Sequence, residues 1–507
     1  DHALDGSNGF DAFAQSPARF YATLRRTFGW RFVRYLGLVY FGLKGIAFAL
    51  LTSAMLPYFQ QMKVTGGGFQ LASVVARIPW SMKGFTGVLS DCLPLGRYHK
   101  RGYLLMASVI GLVAFSVLAS LPLENMDASQ VWVVAVLFCC ANILIATFDL
   151  LCEGKYSEVM RKEHGGSEVL VLVWSCMQGG ALLAAIITKV VIDESGPQPL
   201  LAVCIPIAML AFWRTCAGDL PEEPARSWAS LRAKVRSEPR LFFLAFAMAV
   251  GGLITALGVT FLGRDGRTVL ALAISGSLIA LSFKALPATL ARSNLYMFLA
   301  SAAYMDVTGP LSYFYTGNTT CIVNGPHFSY SYYLAVSNVV GAVGCILGAM
   351  AFQYMQHWTF AGAFCVTAII QIVASGFDLM IVWRWNGALG FSDEATYLFG
   401  DAACQSMAAM MATMPMAMLT ARLCPRGAEA TVFAILAGFQ NFGSTVGSIM
   451  GVQLAEAMNV EASAGGPCDF SLLGTLIIVA HGVGPLLVLP LCFVLVPRVR
   501  IDDESAF

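Results

Sequence analysis

Apolar residues along this chain come in long blocks rather than in the short alternations of strands. Runs of a length that crosses a bilayer, about 20 residues for a hydrocarbon core near 30 Å, fall at 35–60, 69–91, 102–121, 131–157, 168–192, 198–217, 240–262, 268–286, 294–316, 328–356, 359–384, 393–423, 428–458 and 470–496. They predict an all-α membrane protein with about fourteen transmembrane helices. The alternative is twelve, with one or two of the runs re-entrant or lying on the surface.

The polar segments between the runs orient the chain. With residues 1–34 inside, the inner segments carry 21 of the 31 Lys and Arg residues, and the outer ones carry four: Lys63, Arg264, Arg267 and Arg384. Positive charge collects on the cytoplasmic side of membrane proteins, so both termini are expected in the cytoplasm. Residues 17–35 mix aromatics with arginines and predict an amphipathic helix on the inner membrane face. No cleavable leader is expected in the residues present. Asn318-Thr319-Thr320 then falls outside as a glycosylation sequon. Cys321 and Cys468 also fall outside and are free to pair, although spacing alone does not set their separation.

The longest polar segment, 214–240, separates six runs from the rest. The expected organisation is a cytoplasmic segment at 1–34, a six-helix bundle at 35–217, and a linker at 218–239. An inserted transmembrane hairpin follows at 240–286, then a second six-helix bundle at 294–496 and a cytoplasmic tail at 497–507. Two such bundles are the plan of a repeat-built secondary transporter.

Composition narrows the function classes. The chain is 57% apolar and 12% charged, against about 25% charged in ordinary soluble domains, too few charges to cover a soluble protein of this size. A formal net charge of +1 argues against nucleic-acid binding. The fourteen cysteines include no CxxC pair and are read as small packing residues. No HExxH, GxGxxG or phosphate-loop motif occurs, and residues 443–447 (GSTVG) hold Thr where a nucleophile elbow needs Ser. Neither an enzyme nor a cofactor or metal is expected.

The informative residues are charges inside apolar runs. They are costly there, about 2.5–3.5 kcal/mol at a helix centre on the insertion scale, so they face partners or wet cavities. Rise per residue sets Arg77 about 12 Å and Lys83 about 21 Å below the outer face, with Lys44 about 13 Å above the inner one. Asp149 and Glu153, four apart, share a helix face. Lys44, Lys83, Asp149 and Glu153 are expected to form an inner salt-bridge cluster, read either as a gate or as static packing pairs. Lys155 is expected to snorkel to the interface. Asp306 falls near mid-membrane and reads as a lone buried acid suited to proton coupling, with Asp401 as a second such acid. Asn142, Gln178, Asn338 and Asn441 lie at mid-depth, suited to ligand hydrogen bonds or to helix bridging. Tyr313, Phe314 and Tyr315 sit in the outer third as stacking surfaces or interfacial belt. Arg77 reads as the one unpaired cation of the outer half and, with Lys83, Asp149 and Asp306, as a candidate substrate-binding residue. Asp91, Arg97, Arg101, Arg422 and Glu429 lie at the inner mouth and are read as gating residues.

Several phrases carry a resemblance. Gly87-x3-Asp91 followed by Gly96-Arg97 and Arg101 is similar to the loop between spans 2 and 3 of the major facilitator superfamily. More narrowly, PWSMKGFTGVLSDCLPLGRYHKRGYL (79–104), FDLLCEGKY (148–156), SYFYT (312–316) and PMAMLTARLCPRGAEATVFAILAGFQNFGSTVG (415–447) resemble the folate–biopterin transporter family. The resemblance covers roughly residues 35–496 and leaves the hairpin at 240–286 unmatched. It implies alternating-access transport of a folate or biopterin-like pteridine with proton coupling, by a monomer most naturally placed in the plasma membrane. It also admits S-adenosylmethionine or a small carboxylate such as pyruvate, and the scarcity of cations in the outer half argues against polyglutamylated folates. A non-transporting membrane receptor or scaffold is the rival from another class.

Overall fold

The computed structural model describes residues 17–162, 168–222, 224, 239–423, 429–463 and 468–503. Among these residues the regular structure is helical, with no β-strand. The helices are α1 (Pro17–Phe28), α2 (Trp30–Gln61), α3 (Gly66–Ser81), α4 (Lys83–Cys92), α5 (Arg101–Ser120), α6 (Val131–Lys162), α7 (Glu168–Ser195) and α8 (Gln198–Cys216). They continue with α9 (Pro239–Phe261), α10 (Arg264–Ala285), α11 (Ala288–Ala303), α12 (Thr308–Thr316), α13 (Ser331–Gln353), α14 (Phe360–Val382), α15 (Asp393–Thr420), α16 (Glu429–Ala457) and α17 (Leu473–Leu495).

Eleven helices among the described residues are long and apolar enough to cross a membrane. The hairpin helices α9 and α10 are two of them. The other three apolar runs are helical in a different way. The run at 69–91 is split at Met82 into helices of 16 and 10 residues. The run at 294–316 is split at Tyr304–Val307 into helices of 16 and 9 residues. None of these pieces spans about 30 Å alone at 1.5 Å per residue. The third run, α16, is continuous over 29 residues but carries Gln440, Asn441, Ser444, Ser448 and Gln453 among its glycines.

Contacts gather the chain into two compact units. One comprises residues 1–55, 86–121 and 137–237, the other residues 56–85, 122–136 and 238–507.

In the first unit, α7 packs on the Leu38–Ala47 stretch of α2, and α5 packs on α8. The α2–α7 contact is a backbone approach: a Cβ added at Gly45 would lie 2.8 Å from the Gly180 Cα, so both positions need glycine. The amphipathic reading of α1 is realised as a buried stripe of Phe20, Leu24 and Phe28, with Arg25 and Arg26 exposed.

In the second unit, the three unusual runs find one another. Helix α16 packs against α3 and α11, and α3 packs against α12. Discontinuous and polar helices are tolerated at membrane depth where protein or a wet cavity, not lipid, surrounds them, and here they surround each other. The hairpin lies along this group, with α9 against α3 and α10 against α16. Arg267 of α10 holds both carboxylate oxygens of Glu456 at 2.6 Å. Cys321 and Cys468 form a disulfide that joins the segment after α12 to the segment after α16.

Candidate functional site

In the first unit the charges of α2 and α6 meet. Lys44 Nζ lies 3.0 Å from Asp149 Oδ2, with side chains 18% and 10% exposed. The Tyr40 hydroxyl donates to the Asp149 carbonyl oxygen at 3.4 Å, and its ring packs on Tyr156. Glu153, one turn along α6, is near enough to act electrostatically on Tyr40 and Tyr156. Lys44 sits in a π-helical stretch, Leu38–Ala47, whose wider turn is typical of functional positions. Three members of the expected inner cluster therefore lie in this unit. Lys83 belongs to the second unit, where its ammonium stands 4.6 Å from the Trp80 ring centroid. Lys155 pairs with Glu158 at 3.0 Å.

The inner-mouth residues are anchored by a group the sequence reading did not single out. Glu222 accepts the backbone N–H groups of Lys100 and Arg101 at 2.8 and 3.0 Å. A carboxylate is thereby set on the positive end of α5. The Arg101 guanidinium donates to the Cys216 carbonyl, Arg214 pairs with Asp219 at 2.5 Å, and Arg97 is exposed. The side chains of Asp91, Arg422 and Glu429 lie outside the described residues.

The second unit holds a denser site at the α11–α12 break. Thr308-Gly309-Pro310 opens α12, and Pro310 cannot continue a hydrogen-bonded helix from α11. The break places Asp306 outside both helices. Its Oδ1 accepts from the Thr308 N–H at 2.9 Å and from the Thr308 hydroxyl, and its Oδ2 accepts from Ser448 Oγ at 2.7 Å. Gln70 of α3 closes the gap left in the backbone. Its amide nitrogen donates to the Asp306 and Ser448 carbonyl oxygens at 2.5 and 2.9 Å, and its oxygen accepts from the Gly309 N–H at 2.9 Å. A Cβ at Gly451 would overlap the Asp306 carbonyl oxygen, so α16 needs glycine there. Asp306 is thus not the lone acid expected from spacing: Thr308 and Ser448 hold its carboxylate, and the Arg77 charge acts on it. Arg77 is exposed on an otherwise largely buried α3.

The remaining sequence-derived positions separate. Asn441 is exposed and donates to the Trp80 carbonyl at 3.1 Å, which bridges α16 and α3. Asn338 and Gln178 are exposed. Asn142 is buried and donates to the Phe138 carbonyl one turn back. Tyr313 and Tyr315 are each 1% exposed, so in this conformation neither ring offers a face to a solute. The Tyr313 hydroxyl donates to the Val64 carbonyl and that of Tyr315 to Asp378. Tyr315 also packs against Phe328, Tyr333 and Tyr397. Asp401 lies half-buried in the π-helical stretch Leu398–Gln405 of α15.

Gln70, Ser448, Asp378 and His481 are site residues that spacing did not reveal. Gln70 and Asp378 were legible as polar residues inside apolar runs, and Gly309-Pro310 was legible as a helix breaker. His481 carries the same signal, a polar residue inside the run at 470–496. It stacks on Tyr304 with ring centroids 4.2 Å apart and planes 6° apart.

A family model described as the BT1 family matches residues 44–506. "Probable folate-biopterin transporter 2" of Arabidopsis thaliana is 23% identical over 512 residues, covering 100% of this chain and 90% of that one. A crystallised POT family transporter in complex with a thioalcohol-conjugated peptide superposes with a TM-score of 0.64 at 12% identity, covering 92% of this chain and 96% of that one. The D-xylose–proton symporter does so with a TM-score of 0.56 at 13% identity, covering 94% and 98%. These two likenesses show the fold: the chain shares the helical architecture of those transporters.

Proposed function

The chain belongs to the BT1 family, and from that premise we propose that it is a secondary active transporter that moves a folate or another pteridine across a membrane by alternating access, coupled to protons. Transport, not catalysis, is its activity. The observation that carries the reading is the Asp306 site. A carboxylate at a broken helix, held by Thr308 and Ser448 and facing the charge of Arg77, has the construction of the half-helix sites of transporters. Substrate and proton compete or cooperate there through one charge balance. Loading a proton on Asp306 leaves the Arg77 charge to attract an anionic group, and releasing it restores the attraction between the two. The relative from Arabidopsis bears the name of a folate–biopterin transporter, which supports the pteridine class.

In this reading the Lys44–Asp149 pair with Glu153, and separately Lys83, act in gating, together with Arg97, Arg101, Asp91, Arg422 and Glu429 at the inner mouth. The bundles at 35–217 and 294–496 are the two transport halves, and 240–286 is an accessory hairpin. The protein works as a monomer in the plasma membrane with both termini in the cytoplasm.

The test is uptake of labelled folate, biopterin, S-adenosylmethionine and pyruvate by purified protein in liposomes, with and without a pH gradient. Accumulation of a pteridine, faster with an inward proton gradient and lost in Asp306→Asn, is the expected result. Uptake of none of the four compounds refutes the transport assignment. Uptake of pyruvate or S-adenosylmethionine alone replaces the substrate class, and a rate indifferent to the gradient removes proton coupling.

A further inference from the structure

A charged concavity and an apolar groove adjoin at the N-terminal end of the first unit. The chain turns at Gly29, whose φ of 76° suits glycine, and this turn separates α1 from α2. Helix α1 buries Phe20, Leu24 and Phe28 and packs on α7. Its other face carries Tyr21, Arg25 and Arg26, all exposed, and Trp30, Arg31 and Arg34 follow the turn, also exposed. Tyr21, Ala22, Arg25, Arg26 and Trp30 line one concavity. The Arg34 guanidinium stands 5.7 Å from the Trp30 ring centroid. No ion pair among the described residues involves these four arginines, and the sequence holds no Asp or Glu between Asp11 and Asp91. Cations gathered without a counter-charge repel one another and draw an anion to the surface.

The apolar groove opens beside this concavity. Phe20 and Tyr21 of α1, Phe41 of α2, and Leu172, Cys176 and Gly179 of α7 line it. Tyr21 borders both the groove and the concavity, so a single site is charged at one end and apolar at the other. The groove stays open because α7 carries glycine there. Gly179 is exposed, and the nearest atom to an added Cβ is a Phe41 ring carbon at 3.6 Å. A free anion satisfies only the charged end. A molecule with an anionic head and a hydrocarbon chain satisfies both, and in a bilayer that molecule is an anionic phospholipid. Arginine offers a phosphate paired donors, and Tyr and Trp belong at the depth where head meets chain.

We infer that this surface is a binding site for an anionic phospholipid. Arg25 and Arg26 hold the phosphate, Tyr21 and Trp30 flank the glycerol region, and one acyl chain lies in the groove between α1, α2 and α7. Anionic lipid is concentrated in the cytoplasmic leaflet, the side on which the charge bias places residues 1–34. Phe41 belongs to the π-helical stretch that carries Lys44, so the bound chain packs on the segment that pairs with Asp149. The site does not depend on the transport reading.

The experiment is native mass spectrometry of the purified full-length protein in detergent, titrated with phosphatidylglycerol or with phosphatidylcholine of the same chains. Phosphatidylglycerol is expected to bind more tightly, by about tenfold or more. Arg25→Gln combined with Arg26→Gln is expected to weaken it by about thirtyfold, about fivefold for each charge removed. Gly179→Leu keeps both arginines and fills the groove; it is expected to weaken the same lipid by about tenfold, as for two buried methylenes lost. All three positions are exposed, so these changes leave the core intact. Arg25→Lys combined with Arg26→Lys keeps the charge and is expected to retain most of the binding; a loss as large as that of the glutamine pair overturns the assignment to charge. Equal affinity for the two lipids, or equal binding by wild type and the glutamine pair, overturns the site. Unchanged affinity in Gly179→Leu overturns the groove as the seat of the chain. Displacement of the lipid by inorganic phosphate or by chain-free glycerophosphoglycerol would reduce the site to one for free anions and overturn the lipid assignment.

Discussion

Replacing Gln70 by methionine tests whether the α11–α12 break is held shut by one side chain. Gln70 is 2% exposed and makes three hydrogen bonds, all to main-chain groups: two donated to carbonyls of Asp306 and Ser448 and one accepted from the Gly309 N–H. Methionine has nearly the same length and fills the same space, so little of the loss comes from a cavity. Two backbone groups at the break, the Asp306 carbonyl and the Gly309 N–H, are left without their partner, whereas the Ser448 carbonyl lies inside the continuous helix α16 and keeps its helical one. Each such group costs roughly 1–3 kcal/mol when buried, which bounds the loss between about 2 and 6 kcal/mol. Relaxation of the broken segment satisfies part of the demand, so the expected value is near the lower bound, about 2–3 kcal/mol. Ser448→Ala is the comparison. It removes one hydrogen bond to the Asp306 carboxylate and is expected to cost about 1.5–3 kcal/mol. Both are read from reversible unfolding in mixed micelles, followed by tryptophan fluorescence. A Gln70→Met protein within about 1 kcal/mol of wild type would mean that these backbone groups are satisfied by water, and the break would then be a wet loop and not a closed joint.

Three other outcomes follow from particular contacts. Asp149→Asn or Lys44→Met alone breaks the 3.0 Å charge pair and is expected to destabilise by up to about 3–5 kcal/mol, whereas the double variant returns toward wild type; equal or additive losses measured in the same micelles would show that the two charges do not depend on each other. Cys321→Ser is expected to release Cys468 to a membrane-impermeant thiol reagent added outside intact cells and to lower stability by about 2–4 kcal/mol; labelling only from the cytoplasmic side would reverse the orientation. In the tail, hydrogen bonding from His357, and then from Arg500, holds the Asp502 carboxyl below the usual carboxylate range. A lowered value in the folded chain means the contribution is present above the ordinary value of about 4 and is lost as pH falls through the lowered one. Exchange protection of the Ile501 N–H, which donates to the Trp358 carbonyl at 2.9 Å, is the readout; protection unchanged at low pH would remove Asp502 as the tether.

The sequence by itself determined the class of molecule, the positions of the helices and the chemistry of individual residues. These follow from local physics: a bilayer demands long apolar runs, helices satisfy their own backbone there, and a charge inside such a run marks itself by its cost. The family phrases at 79–104 and 415–447 were legible for the same reason, being contiguous. Which charges meet was not contiguous information. Asp149 shares a helix face with Glu153, yet its partner Lys44 stands 105 residues away. Asp306 read as alone because Ser448 is 142 residues off and Gln70 236. The break at Tyr304–Val307 has a local signal in Gly309-Pro310, but that it opens beside Gln70 and Gly451 depends on how α3, α12 and α16 pack. Tyr313 and Tyr315 illustrate the converse. Their spacing predicted exposed rings, and packing closed both inside the unit. The π-helical stretches that carry Lys44, Asp401 and His481 leave no mark in residue type, because one inserted residue per turn changes hydrogen bonding and not composition. Tertiary structure alone decided these matters, since a membrane helix buries or exposes a polar group according to its neighbours, and those neighbours come from distant parts of the chain.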